Sequence, residues 1–466
     1  MVMAMIENKT FDEIVVGQSA CLSRTLTQND IELFAALSGN ANPVYVDKAF
    51  VHDDQFHKII AHGMWGGALV STVLGTELPG PGMVYRNQTL NFRNPIAFGD
   101  TVVVTVTVRD KNAATQSLTL DCRITNQNGQ VVIDGEAEVV APAEKVRRER
   151  VAMPEVHLQE RGAHRQRLLE QAQARSPIPV AVVNPVDQVS LIGAVDAAQA
   201  KLITPVLIGP ADAIEDAAQL AGIDIAGLKL VTADDAEAAA ASAVDMALAG
   251  SVEALMKGAL HTDVLMHAVV AGTHNLRTER RISHVFVMDV PTYPRPLLIT
   301  DAAINIYPDL ETKRDIVQNA IELAHALGIA MPRVAILSAV ETVSPKIKAT
   351  LEAAALCKMA DRGQITGAIL DGPLAFDNAV SADAAKIKHI VSPVAGQADI
   401  LVVPDLEAGN MLAKQLEYLA EAEGAGIVLG ARVPIVLTSR ADNVLSRIAS
   451  CAVAVLLAHH HRRARP

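Results

Sequence analysis

The sequence predicts two fold classes in succession: an α+β unit over residues 1–142, then an α/β domain with a doubly wound, mostly parallel sheet over 176–466. Three observations carry this. Val102, Val104, Val106 and Val108 alternate with Val103, Thr105 and Thr107, the period of half-buried strands. From Ser176 the pattern changes: short β-branched runs at 178–183 and 204–209 are followed by Ala-rich helical stretches at 187–200 and 212–221. Such alternation builds parallel sheets covered by helices. Finally, 466 residues are too many for one ordinary domain.

Composition excludes several classes. A net charge of −12 and a pI of about 5.6 exclude a general nucleic-acid binder, yet leave room for a phosphorylated small molecule in a local basic pocket. Cys21, Cys122, Cys357 and Cys451 are scattered, without a Cys-x-x-Cys pair or a Cys/His cluster. We therefore expect reduced core thiols, no disulfide framework and no metal site. The first residues lack a basic segment followed by an apolar run, and the longest apolar stretch, 451–458, is far shorter than the roughly 20 residues of a membrane helix. A cytoplasmic protein without membrane contact is the expectation. His459, His460 and His461 with Arg462 and Arg463 read as a solvated tail.

In the first unit, Thr27 to Asp30 reads as a capping box with Asp in place of the usual Glu or Gln. The helix it opens carries Ile31, Phe34, Ala35 and Leu37, and Gly39 ends it. A second helix is expected over 63–77. Strands follow, with Asn128-Gly129 as a hairpin turn. Two segments carry chemical interest: Gly39-Asn40-Ala-Asn42-Pro43-Val-Tyr45-Val-Asp47 and Ala61-His62-Gly63-Met64. With Pro79-Gly-Pro-Gly82 and Phe98-Gly-Asp-Thr101 they resemble the MaoC-like, (R)-specific enoyl-CoA hydratase family, which implies a hotdog fold. The family pattern is Gly-Asp-x-Asn-Pro-x-His, whose Asp and His activate water. Here those positions hold Asn40 and Tyr45. An Asn amide is no base near neutral pH, and Tyr, with a reference pKa of about 10, is a poor one. Asn42, His62 and Gly63 remain, as a turn and packing contact or as the rest of an acyl-CoA groove.

Residues 143–175 read as a charged linker ending in a surface helix. Beyond it, strands are expected at 178–183, 204–209, 253–257, 285–288, 297–300, 334–337, 367–370, 400–403 and 434–438. Polar residues gather after them: Lys257, Gly258, His261 and Thr262; Asp301; Ser338; Asp371; Asp405 and Asn410. Arg277 and Ser283 lie ahead of the strand at 285–288. Strand ends at one sheet edge would make a ligand crevice. The last of them, Ser439, Arg440 and Asp442, offers a hydroxyl, a fixed cation and a carboxylate beside a helix start. That set suits a phosphate or an acyl phosphate.

Met256-Lys-Gly258, Leu276-Arg-Thr278 with Ser283-His-Val285, Ser392-Pro-Val-Ala-Gly396, Pro404-Asp-Leu with Gly409-Asn410, and Thr438-Ser-Arg440 occur in order. Together they resemble the phosphate acetyltransferases and phosphate butyryltransferases, with the butyryl branch nearer than the long acetyltransferases. The whole layout resembles bifunctional enoyl-CoA hydratase/phosphate acetyltransferase proteins. The resemblance implies reversible acyl transfer between coenzyme A, a substrate and not a tightly bound cofactor, and inorganic phosphate, without a metal. Asp442 would be the base or orient it. Arg440 would stabilise phosphate or oxyanion charge, and Ser439 would donate a hydrogen bond. Lys257 and Arg277 would contact phosphate or coenzyme A, and Gly258, His261, Thr262, Ser283, Asp371, Asp405 and Asn410 complete the expected site. His267 stands where relatives often carry an Arg. A homo-oligomer is implied as well. The rival readings are a non-catalytic acyl-CoA sensor, motivated by Asn40, Tyr45 and His267, and an active hydratase.

Overall fold

In the computed structural model, residues 5–40, 42–46, 59–149, 156, 162–273, 275–437 and 444–464 are described. The chain forms two units, Met1–Leu158 and Gln159–Pro466.

In the first unit a short strand, β1 (Met5–Glu7), precedes β2 (Ser19–Thr25). The helix Gln28–Ser38 follows, and its N-terminus is closed reciprocally: the Thr27 hydroxyl accepts from the Asp30 N–H, and the Asp30 carboxylate accepts from the Thr27 N–H at 2.9 Å. Asp thus serves in this capping box. Gly39 ends the helix at φ 68°, a left-handed conformation. After the helix Gly63–Thr76 come β3 (Val84–Phe92), β4 (Thr101–Asn112), β5 (Ser117–Thr125) and β6 (Val131–Val140). With β2 they make one antiparallel sheet of order β2-β4-β5-β6-β3. The alternating valines of β4 and Leu118, Leu120, Cys122 and Ile124 of β5 form its buried face. Trp65, Val70, Val73 and Leu74 of the 63–76 helix pack into the same core. That helix lies close because Gly66 has no side chain: a Cβ there would come within 2.4 Å of Ile133. The charged stretch after β6 is partly structured. β7 (Arg147–Glu149) pairs antiparallel with β1, and Lys145 reaches Glu7 and Glu13, each at 3.0 Å.

The second unit holds β8 (Ile178–Val183), β9 (Ile203–Gly209), β10 (Lys229–Thr232), β11 (Ala254–Lys257), β12 (Ser283–Asp289), β13 (Leu297–Thr300), β14 (Arg333–Leu337), β15 (Ile369–Leu374), β16 (Ile400–Val402), β17 (Glu423–Leu429) and β18 (Ile435–Val436). They form one 11-stranded sheet of order β10-β9-β8-β11-β18-β17-β12-β13-β16-β14-β15. The inner strands are apolar runs buried on both faces, as sheets covered by helices on both sides require. The sheet is mostly parallel, as expected, but its strands do not all end at one edge. β10, β9, β8, β11 and β18 run parallel to one another. β13, β16, β14 and β15 are also mutually parallel. Between the blocks, β18–β17, β17–β12 and β12–β13 are antiparallel. Three reversals leave the two blocks pointing in opposite directions, so their carboxyl ends face opposite ends of the sheet.

The helix Val444–Ala464 crosses this unit with Cys451 to Leu457 buried. It is long and apolar enough to span a membrane, but its apolar side chains pack in the core of this unit. Its last turns are not a solvated tail. His459 donates from Nε2 to the Ser176 carbonyl at 2.9 Å, His461 pairs with Glu322 at 2.7 Å, and Arg462 pairs with Glu253.

Candidate functional site

The expected site residues divide between the two ends of the sheet. Lys257, Gly258, His261 and Thr262 gather where β11 ends. Lys257 is only 7% exposed, and its Nζ donates to the carbonyls of Leu260 at 3.0 Å and Gly258 at 3.3 Å. Gly258 donates its N–H to Val183 at 2.9 Å. A Cβ at Gly258 would lie 2.3 Å from the Val183 oxygen and 2.7 Å from that of Asn184, so only glycine lets this turn lie against the end of β8. His261 then caps the helix Thr262–Val270 without a side-chain hydrogen bond to it. The first N–H groups of such a helix are open to an anion.

β18 lies parallel beside β11, in the register Leu255↔Ile435 and Met256↔Val436. Continued by one residue, that register sets Leu437 beside Lys257. Ser439, Arg440 and Asp442 follow immediately in the chain and lie outside the described residues. The helix that begins at Val444 brings a residue that the sequence reading passed over. Arg447 is 4% exposed, and its stem packs over Gly193, where a Cβ would come within 2.9 Å of the Arg447 Cδ. Lys257 and Arg447 are thus two nearly dehydrated cations, one at the end of β11 and one in the first turn of the helix that follows β18 in the chain. The signal for Arg447 was a single Arg among Val444, Leu445, Ile448 and Cys451 on a helix that starts at a strand end.

Ser283, Asp405 and Asn410 lie at the opposite end, and each has structural work there. The Ser283 hydroxyl accepts from the Asn319 amide at 2.9 Å. Asp405 caps the helix Leu406–Leu419 through the Ala408 N–H. Asn410 donates to the Ala302 carbonyl at 3.3 Å. Arg277 is exposed and bridges to Ala431, beyond the end of β17. Asp371 sits within the edge strand β15 and accepts from the Gly372 N–H. These five do not join Lys257 in one crevice. Asp301 belongs to the same far end. Its carboxyl, raised by burial and lowered by the N–H groups it receives, holds the turn 303–305. His284 is a core group: burial pushes it down to about 3, and its ring meets Phe286 edge-on. His267 is exposed and lines a groove with Glu237, Asp245 and Asp263, surroundings that repel phosphate.

In the first unit, His62 is buried with its ring stacked on Tyr45, centroids 3.7 Å apart. Its Nε2 lies 3.3 Å from the Asn40 carbonyl, and Nδ1 has no partner among the described residues. Asn40 and Asn42 accept with their side chains from the N–H groups of Asn42 and Val44, the turn-forming use of Asn. A Cβ on Gly63 would lie 3.2 Å from the Phe92 ring.

Comparison with known proteins follows this division. Residues 15–127 match a family model described as MaoC like domain, and residues 234–455 match one described as Phosphate acetyl/butaryl transferase. A phosphate acetyltransferase of Rhizobium meliloti is 61% identical over 298 residues, 64% of this chain and 94% of that protein. A phosphate butyryltransferase of Clostridium acetobutylicum is 40% identical over 279 residues, 60% of this chain and 93% of that one. The crystal structure of a branched-chain phosphotransacylase from Enterococcus faecalis superposes with a TM-score of 0.55 at 31% identity, covering 61% of this chain and all of that chain. A hotdog unit of the MaoC type therefore precedes a phosphotransacylase fold, and through that second unit the chain belongs to the phosphate acetyl/butyryl transferase family.

Proposed function

We propose that the chain transfers a short acyl group reversibly between coenzyme A and inorganic phosphate, at the sheet end where β11 and β18 finish. The observation that carries this is the 61% identity across 94% of a phosphate acetyltransferase. The lower identity of 40% to a phosphate butyryltransferase favours acetyl over butyryl as the acyl group.

In the direction of acyl-CoA formation, the thiol gives its proton to Asp442, or to a group that Asp442 orients. The thiolate attacks the acyl phosphate carbonyl. A C–S bond forms, the C–O bond to phosphate breaks, and phosphate leaves with the electron pair. Charge builds first on the carbonyl oxygen and then on phosphate, and fixed donors aimed there lower the barrier. Arg440 and Ser439 supply them. Lys257 holds a positive potential over the phosphate, and the open N–H groups at His261 and Thr262 add to it. The buried Arg447 belongs to the same field.

The hotdog unit, with Asn40 and Tyr45 in place of a base pair, adds no efficient hydration and serves acyl-CoA binding or assembly. Assembly as a homo-oligomer and a cytoplasmic location, where acyl-CoA is made and used, belong to the same reading. The test is thiol consumption by the full chain with coenzyme A and either acetyl phosphate or butyryl phosphate. Turnover, faster with acetyl phosphate and lost in Arg440→Ala, is expected. Coenzyme A binding without turnover on either substrate would refute the transferase and favour the sensor.

A further inference from the structure

Three helices of the second unit end around one cavity of about 360 Å3. Arg175 reaches it from the end of the helix Ala163–Gln173, His325 from the end of Leu310–Ala326, and His459, His460 and Arg463 from the end of Val444–Ala464. All five ionisable side chains that line it are bases, in a chain whose net charge is −12. The side chains of Arg175 and Arg463 make no hydrogen bond or ion pair among the described residues.

Helix C-termini attract cations, so part of this charge has a structural use. Each terminus carries roughly half a negative charge. Three termini come to about −1.5, which the two arginines alone offset. Any protonated histidine is then a surplus. His325 and His459 are each anchored through one ring nitrogen. Each donates from Nε2 to a backbone carbonyl, of Gly367 at 2.8 Å and of Ser176 at 2.9 Å. A proton added at Nδ1 leaves those bonds intact. His460 already feels the cluster: burial lowers it, and His461, His325 and Arg463 lower it further against Glu322. Glu322 is itself engaged by His461 and Arg280.

We propose that this cavity binds a small, multiply charged oxyanion of the phosphate class, free phosphate or a phosphate ester, gripped by Arg175 and Arg463 and held more tightly as His325, His459 and His460 take up protons. The site is distinct from the one assigned to acyl transfer. It lies at the far end of the 21-residue helix that begins after residue 443, about 30 Å along its axis. The proposal does not depend on the transferase reading.

The probe is sulfate, whose charge stays constant between about pH 6 and about pH 8.5 while histidine loses its own. Calorimetric titration uses the full chain carrying Arg440→Ala, so that the transfer site does not compete. One sulfate per chain is expected, bound about tenfold more tightly at about pH 6 than at about pH 8.5. Adding Arg175→Gln and Arg463→Gln should weaken it at least about tenfold, and the same pair in the otherwise unaltered chain should leave acyl transfer unchanged. His460→Gln, a milder change that keeps both arginines, should reduce the pH ratio by about threefold. Sulfate binding indifferent to the arginine pair or to pH overturns the proposal. So does a lowered melting temperature in the double variant with an unaltered sulfate response, because the arginines would then only compensate helix ends. Binding of citrate without sulfate would mean a carboxylate site and would overturn it too.

Discussion

Lys257→Met separates a substrate-facing cation from a structural one. Methionine keeps most of the stem and removes the charge. Two effects on stability oppose each other. The variant loses charged hydrogen bonds to the Leu260 and Gly258 carbonyls, worth about 1.5–3 kcal/mol each. It also no longer strips water from an ammonium group that is 7% exposed, a cost of several kcal/mol. The sum is close to zero, and a melting shift within about 4 °C is expected. Substrate binding has no such cancellation. A phosphate about 5 Å from Nζ, at an effective dielectric of about 20, interacts by about 3 kcal/mol. Water and Arg440 take over part of this role, which leaves about 1.5–2 kcal/mol. KM for acetyl phosphate should therefore rise about 10- to 30-fold while kcat changes little, the mark of an interaction made in ground state and transition state alike. Thiol-release kinetics and a melting curve on the same preparation decide it. An unchanged KM with a melting point lowered by more than about 5 °C would mean that Lys257 only braces the turn, and the assignment of this sheet end would lose its main cation.

Three other outcomes follow from particular contacts. Gly258→Ala forces the turn away from the Val183 and Asn184 carbonyls, which should cost about 1–3 kcal/mol in a urea titration and lower kcat by displacing the start of the 262–270 helix. Glu322 is held down to about 2, first by its hydrogen bond from His461 and then by the charges of His461 and Arg280. A carboxylate lowered in the folded state stabilises fully above its ordinary value and loses that contribution as pH falls from about 4.5 towards 2. The advantage of the native chain over Glu322→Gln, at most about 2 kcal/mol for so partly exposed a pair, should therefore shrink across that window in acid unfolding curves; an advantage that stays constant down to about pH 2 refutes it. The full chain should hydrate a 2-enoyl-CoA slower than a hydratase with an Asp/His pair by about 10²–10⁴-fold, read by loss of the enoyl absorbance, and full activity would show that His62 serves as a base.

What could be read beforehand was local. The Thr27–Asp30 cap, the valines of β4 and the buried run of β8 each follow from residues within one element. β17 went unread because Gly424 and Gly426 dilute its strand signal. Gly426 is nevertheless required, since a Cβ there would lie 2.7 Å from the Leu437 oxygen. The three antiparallel pairings went unread for a different reason. Helices alternating with strands fit either direction, and only connection length discriminates. A parallel crossover needs about a dozen residues or more, whereas only residues 290–296 join β12 to β13 and only 430–434 join β17 to β18. Those two short links force antiparallel neighbours. The closing histidines misled by composition: their polarity suggested solvent, while the helix carrying them runs on through His461 to Glu322.

The reversals also explain why polar residues after strands were a poor guide to the site. In a sheet that runs one way, every such loop belongs to one crevice. Here half of them lie at the other end, where Asp301, Asp405 and Asn410 spend their polar atoms on backbone N–H and carbonyl groups. Those bonds satisfy turns and helix starts and leave little for a ligand. Buried cations are the better discriminator. Taking a lysine or arginine out of water costs several kcal/mol, and a turn can be capped with far less. Lys257 and Arg447 bear that cost, one at the end of β11 and the other in the first turns of the helix beyond residue 443. An anion at the end of β11 would recover part of what the burial of Lys257 costs, and a phosphate leaving an acyl group is an anion of the right charge.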